Sequence, residues 1–202
     1  EILLRNFEAG DGRVPWNPIF LPNRKTDTNN NFAVSTDFLG ASHAYPEADD
    51  EARARIVAQR AEWEIALGDN SRVVASYDQP ELRLVRDWGA EAWADGEREL
   101  LPGVWAIPTG GHSAGHQGVV IRGTGDGART LAFFGDLCMR PWSANPRWVT
   151  AFDDFPLDSV AQKARLFGQA ADEGWTIVLS HEPDAPVGHF VRDRDRLAWE
   201  SI

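Results

Sequence analysis

The sequence predicts an α+β fold, and three observations carry that prediction. Runs of period-two hydrophobicity cluster between residues 91 and 134, two segments carry helical periodicity with start and stop signals, and no repeat or linker divides residues 1–202. One domain over the whole chain is therefore the expectation.

The first 45 residues open with a short apolar stretch, Ile2 to Phe7, that reads as a strand, followed by Gly, Pro and Asn punctuation that reads as a long surface loop. From Glu47 to Leu67 the spacing predicts a helix, with Asp49 or Asp50 as cap and Ile56, Arg60, Trp63 and Leu67 on one face. Asp78-Gln79-Pro80 starts a shorter helix, which turns Leu82, Val85 and Trp88 inward until Gly89. Glu91–Ala94 and Glu97–Leu100 flank Asp95-Gly96, a pair suited to a hairpin turn. Val104–Ile107, Gln117–Arg122 and Arg129–Phe134 read as strands, the last two joined by the Gly-rich turn Gly123–Gly127. Pro156 to Asp172 predicts a second long helix, with Val160, Ala164, Phe167 and Ala171 as its stripe and Gly174 just past its end. Trp175–Ser180 is an apolar strand, and Gly188–Arg192 with Arg196–Glu200 predicts a closing hairpin.

Composition excludes several classes. A net charge of −11, from 20 Lys and Arg against 31 Asp and Glu, argues against binding a nucleic-acid backbone. Cys138 is the single cysteine, so an internal disulfide and a thiolate zinc cluster are both excluded. No apolar run reaches the roughly 18 residues of a membrane span, and a cytoplasmic protein without membrane contact is expected. The single methionine is Met139, so the chain starts without an initiator residue.

Three polar residues share one context, the end of an apolar strand entering a loop. His116 closes Thr109-Gly-Gly-His-Ser-Ala-Gly-His after the strand ending at Ile107; Asp136 follows Leu131-Ala-Phe-Phe-Gly135; His181 follows Thr176-Ile-Val-Leu-Ser180. Strand ends fix the backbone while loops leave side chains free to converge, and two imidazoles with a carboxylate suit zinc when thiolates are absent. Each has an ordinary reading. A histidine at a strand end is more often a hydrogen-bonded structural residue than a ligand, and Asp after Gly is a common turn former. His112 and His116 are four apart, but Gly110, Gly111 and Gly115 argue against the helix that would pair them.

The combination resembles the metallo-β-lactamase superfamily. Thr109–Gln117 is similar to its TPGHTPGHQ-type loop, Phe134-Gly135-Asp136 to its FxGD segment, and Ser180-His181-Glu182-Pro183 to its late metal-binding histidine. The likeness runs from about Glu91 to the C terminus and is weaker over Asp11–Asn23; the run from Pro146 through Phe152-Asp153 and the following helix to Pro186-Val187-Gly188 is similar to branches that include lactonases and organophosphate hydrolases. It implies an αββα sandwich, incomplete at its N-terminal half. It also implies His116 as a ligand of a first metal, Asp136 as the bridging and catalytic carboxylate, and His181 as a ligand of a second. His112 matches a loop position left outside that set. The implied cofactor is zinc, two ions in a complete enzyme, with other divalent metals as substitutes. The implied reaction is attack of a metal-bound hydroxide on a small ester, lactone or related substrate.

The sequence departs from the superfamily in lacking HxHxDH, and His43 is its only histidine before His112. The simpler account is that the chain is the C-terminal part of a longer enzyme; a rival aligns Asn6–Asp11 with a decayed motif. The rival gives the alternative function, a degenerate member of the fold acting in binding or assembly without catalysis. Expected partners are a small-molecule substrate and a second copy of the chain. Trp16, Trp105 and Trp142 are candidates for a substrate pocket, with core packing the commoner role of a Trp; Arg140 is a candidate anion anchor, and Cys138, two residues after Asp136, reads as a buried residue ahead of one that approaches the metal.

Overall fold

The structure, a computed structural model, describes residues 32–34, 55–74, 77, 82, 83, 86, 91–194 and 196–202, and divides into units 1–94 and 95–202. The expected strand Ile2–Phe7, the Asp11–Asn23 likeness, the Asn6–Asp11 alignment, Trp16 and His43 lie outside the described residues.

In the first unit, β1 (Phe32–Val34), β2 (Arg55–Gln59) and β3 (Glu91–Ala94) form a parallel sheet in that order, and α1 (Arg60–Ala66) and α2 (Ser71–Val74) follow β2. Two expectations are corrected here. Phe32–Val34 is a strand inside the segment read as loop, and the helix read over 47–67 is a strand to Gln59 and a helix only from Arg60. Ile56 and Val57 are β-branched and sit in a ladder paired on both sides, whereas Arg60-Ala-Glu-Trp-Glu-Ile-Ala66 holds mostly strong helix formers. Val57, Trp63, Ala66 and Leu82 are buried. Of the helix expected after Asp78, Leu82, Arg83 and Arg86 are described and are helical.

The second unit is a seven-stranded sheet. Its strands are β4 (Arg98–Leu101), β5 (Val104–Pro108), β6 (Gln117–Arg122), β7 (Thr130–Phe133), β8 (Thr176–Val178), β9 (Val187–Asp193) and β10 (Arg196–Ser201), in the spatial order 10-9-8-7-6-5-4. Every pairing is antiparallel except β7 with β8, whose crossover carries α3 (Pro156–Glu173). The hairpin expected across Asp95-Gly96 is corrected. Glu91–Ala94 pairs with β2, and β4 turns instead through Pro102-Gly103 into β5, where Gly103 has φ +81° and a Cβ would meet the Arg122 carbonyl at 2.7 Å.

Helix α3 starts with Pro156 at its first turn and stops at Gly174, a left-handed cap with φ +67°. Its buried face is Ser159, Lys163, Leu166, Phe167 and Ala170, so the expected stripe is offset: Phe167 is buried and Ala171 packs partly buried against the core, Val160 is partly buried, and Ala164 faces solvent. The rotation hides two polar residues that read as surface. Lys163 donates to the Trp148 carbonyl at 2.6 Å, and burial holds its pKa below the usual lysine value. Across this face lie Ile107, Val120, Ala132 and Ile177 from the sheet, with Phe167 stacked on Phe190 at 4.3 Å and tilted against Phe134 at 5.6 Å. Each such ring contributes about 2–3 kcal/mol on burial. This core fixes the ends of β5, β7 and β8, from which the site residues project. Among the described residues no helix is long and apolar enough to cross a membrane.

Candidate functional site

The loop from Thr109 to His116 leaves β5 and returns to β6. It is closed at its base, where the Thr109 and Gly110 N–H groups donate to the His116 carbonyl at 2.8 and 2.9 Å. Gly110 and Gly111 have positive φ, 57° and 82°, so the loop is a tight bend and not a helix, as the glycines require. His112 stands at its tip. The tip is clamped by Asp154 N–H to the His112 carbonyl at 3.0 Å and Phe155 N–H to the Gly111 carbonyl at 2.8 Å.

Asp136 follows β7 in a single 3-10 turn, Gly135–Leu137. His181 lies beyond β8, in a loop held to the same turn by Ser180 N–H to Cys138 O at 3.3 Å and His181 N–H to Met139 O at 3.0 Å. Three strand ends therefore deliver three side chains to one place. His181 Nε2 lies 2.8 Å from Asp136 Oδ1, which also accepts the Ser180 hydroxyl at 3.3 Å; His112 Nε2 lies 3.4 Å from Asp136 Oδ2. The His181 side chain is 49% exposed and that of Asp136 20%, so the cluster opens to solvent.

His116 is placed differently from the expectation. It is fully buried, its Nε2 accepts the Asp136 backbone N–H at 3.1 Å, and its Nδ1 is paired with the Thr109 hydroxyl. Both ring nitrogens are engaged behind Asp136, and none faces its carboxylate. Burial drives the His116 pKa down to about 3, so the ring is neutral. It is His112, left outside the expected set, that faces the carboxylate. The TPGHTPGHQ-like loop carries two histidines, and only its glycine-bent shape separates the one at the tip from the one at the base.

Behind His112, Asp153 Oδ1 lies 3.0 Å from Nδ1 and accepts the Thr150 hydroxyl at 2.8 Å. Burial pushes the Asp153 pKa up, but His112 and Thr150 more than offset it and hold the carboxyl below its usual range; the Ser159 hydroxyl adds to this without meeting hydrogen-bond geometry. The sequence reading gave Asp153 no site role, because its contact with His112, a residue on a different loop, exists only in the folded chain.

The donor types suit a zinc-like cation, which accepts imidazole nitrogen and carboxylate oxygen. As the side chains stand they pair with one another, and no three of His, Cys, Asp or Glu surround a common point for a metal among the described residues. His112 Nε2 and Asp136 Oδ2 face each other at 3.4 Å, an imidazole nitrogen and a carboxylate oxygen that a proton or a cation would bridge.

Of the remaining candidates, Cys138 is fully buried in the core, and burial pushes its thiol pKa up. Arg140 lies 3.7 Å from Glu182, the residue after His181. Trp105 packs partly buried on the core under the Arg122 guanidinium, whereas Trp142 and Trp148 lie 6.4 Å apart and line a surface groove with Arg147 and Val149.

No protein-family model and no curated protein sequence matches the chain. Solved structures do. A probable metal-dependent hydrolase from Staphylococcus aureus superposes with a TM-score of 0.70 at 22% identity, over 85% of this chain and 62% of its own. The hydrolase AbOPH of the β-lactamase superfamily gives 0.67 at 16% identity, over 85% and 64%. AidC, a dizinc quorum-quenching lactonase, gives 0.66 at 14% identity, over 85% and 64%. The chain has the α+β metallo-β-lactamase-like fold, and it spans a little under two thirds of the length of these three structures.

Proposed function

We propose that the chain belongs to a metal-dependent hydrolase of the metallo-β-lactamase superfamily, acting on a small ester, lactone or related substrate. The observation that carries this reading is the Asp136 carboxylate, flanked on its two oxygens by His181 Nε2 and His112 Nε2 from separate strand-end loops. The fold neighbours, among them a metal-dependent hydrolase and a dizinc lactonase, support it.

In this reading His112, Asp136 and His181 hold the metal, and His112 takes the role expected of His116. A zinc ion bound there would polarise a carbonyl or phosphoryl oxygen and make water ionisable near neutral pH. The protein's own residues prepare that chemistry. Neutral His116 fixes the Asp136 backbone, Ser180 donates to the Asp136 carboxylate, and the exposed His181 ring borders the open side from which a substrate enters. Arg140, half-exposed next to Glu182, is placed to attract a substrate anion. A two-ion centre needs donors beyond these three.

A metal analysis of the purified full chain tests the reading, together with hydrolysis of an N-acyl homoserine lactone and of a nitrophenyl ester. Bound zinc and turnover that both disappear in Asp136→Ala are expected. A folded protein that takes up no zinc at micromolar concentration and hydrolyses neither compound supports the alternative, a non-catalytic member of the fold.

A further inference from the structure

An imidazole on a glycine-flanked loop keeps one orientation only if something holds its far nitrogen. Asp153 is the residue in position to do so. Its side chain is 3% exposed, and Oδ1 lies 3.0 Å from His112 Nδ1 while accepting the Thr150 hydroxyl at 2.8 Å. An ionised carboxylate only accepts, so the proton of this bond sits on Nδ1. The backbone repeats the contact, with Asp154 and Phe155 N–H groups bonded to the carbonyls of His112 and Gly111 at 3.0 and 2.8 Å. The side-chain and main-chain contacts together bring the 153–155 segment against the loop tip and the ring at once.

We propose that Asp153 is a positioning residue: it fixes the ring orientation and the tautomer of His112, so that Nε2 is presented to Asp136 as a lone pair. The consequence for metal affinity rests on the proposed function, whereas the tautomer is a property of the chain alone. Losing a partner of this kind typically weakens metal binding 10–100-fold.

The test uses the full chain labelled with 15N-histidine and kept metal-free, with the His112 ring read by long-range 1H–15N NMR. The wild type is expected to show the Nδ1–H form. Asp153→Ala shifts the ring toward a mixture of tautomers, and Asp153→Glu restores Nδ1–H. In parallel, zinc affinity falls 10–100-fold in Asp153→Ala and recovers in Asp153→Glu. Asp153→Leu, which fills a similar space without an acceptor, serves if the alanine variant does not fold, whereas Thr150→Val, which leaves the carboxylate in place, keeps the Nδ1–H form. An unchanged Nδ1–H signal in folded Asp153→Ala or Asp153→Leu overturns the proposal. A tautomer shift in a protein that binds no zinc upholds the positioning role and removes the hydrolase reading instead.

Discussion

The Asp136 backbone N–H donates to Nε2 of His116 at 3.1 Å, which places a buried, neutral imidazole directly behind the carboxylate that faces the candidate metal position. Protonating that ring would remove the acceptor and bury a charge.

Acid sensitivity follows from this pair. With a folded pKa of about 3 against an unfolded value near 6.5, the unfolded state binds the extra proton between those limits. Stability is therefore full above about pH 6.5 and falls with decreasing pH, by up to about 1.4 kcal/mol per unit. Urea unfolding of the metal-free protein from pH 4.5 to 7 checks this. His116→Gln lowers stability at pH 7 but has a shallower pH slope, and a slope equal to that of the wild type counts against the assignment.

Gly111 precedes His112 with φ +82°, and a Cβ there would meet Ser159 N and Cα at 2.7 Å as well as its hydroxyl. Gly111→Ala combines backbone strain with a clash against the start of α3 and costs about 2–5 kcal/mol. Chemical denaturation measures it; a change below about 0.5 kcal/mol means that the loop is not held as described.

Phe167 stacks on Phe190 and leans on Phe134, whereas Leu157, on the same helix, is 82% exposed. Phe167→Ala is expected to cost about 3–5 kcal/mol and Leu157→Ala less than about 0.5 kcal/mol. Thermal unfolding of the two variants separates them, and equal effects contradict the packing of α3.

Cys138 is fully buried with its thiol pKa pushed up, so little thiolate is available to react. A thiol reagent labels the native protein slowly and the denatured protein at once. Rapid labelling of the native protein shows a core more open than described.

The strands of the second unit were legible from alternation or short apolar runs bounded by turn residues, and α3 because Pro156 and Gly174 mark both ends. The face of α3 was not, since Ser159 and Lys163 are polar and only their tertiary partners explain their burial. The segment 47–67 misled for a related reason: Ala, Arg and Glu favour helix locally, yet Arg55–Gln59 pairs with strands on both sides, and long-range pairing overrides propensity. Asp136 and His181 could be placed from their strand ends. His112 and His116 could not be told apart by spacing, because what separates them is which ring nitrogen reaches the Asp136 backbone and which faces its carboxylate.

In the proposed function Asp136 and His112 share a cation, and zinc titration by calorimetry of the wild type, Asp136→Ala and His112→Ala measures this most directly. Tight binding in the wild type, lost or weakened at least 100-fold in both folded variants, is the predicted result. Undiminished binding in His112→Ala contradicts it.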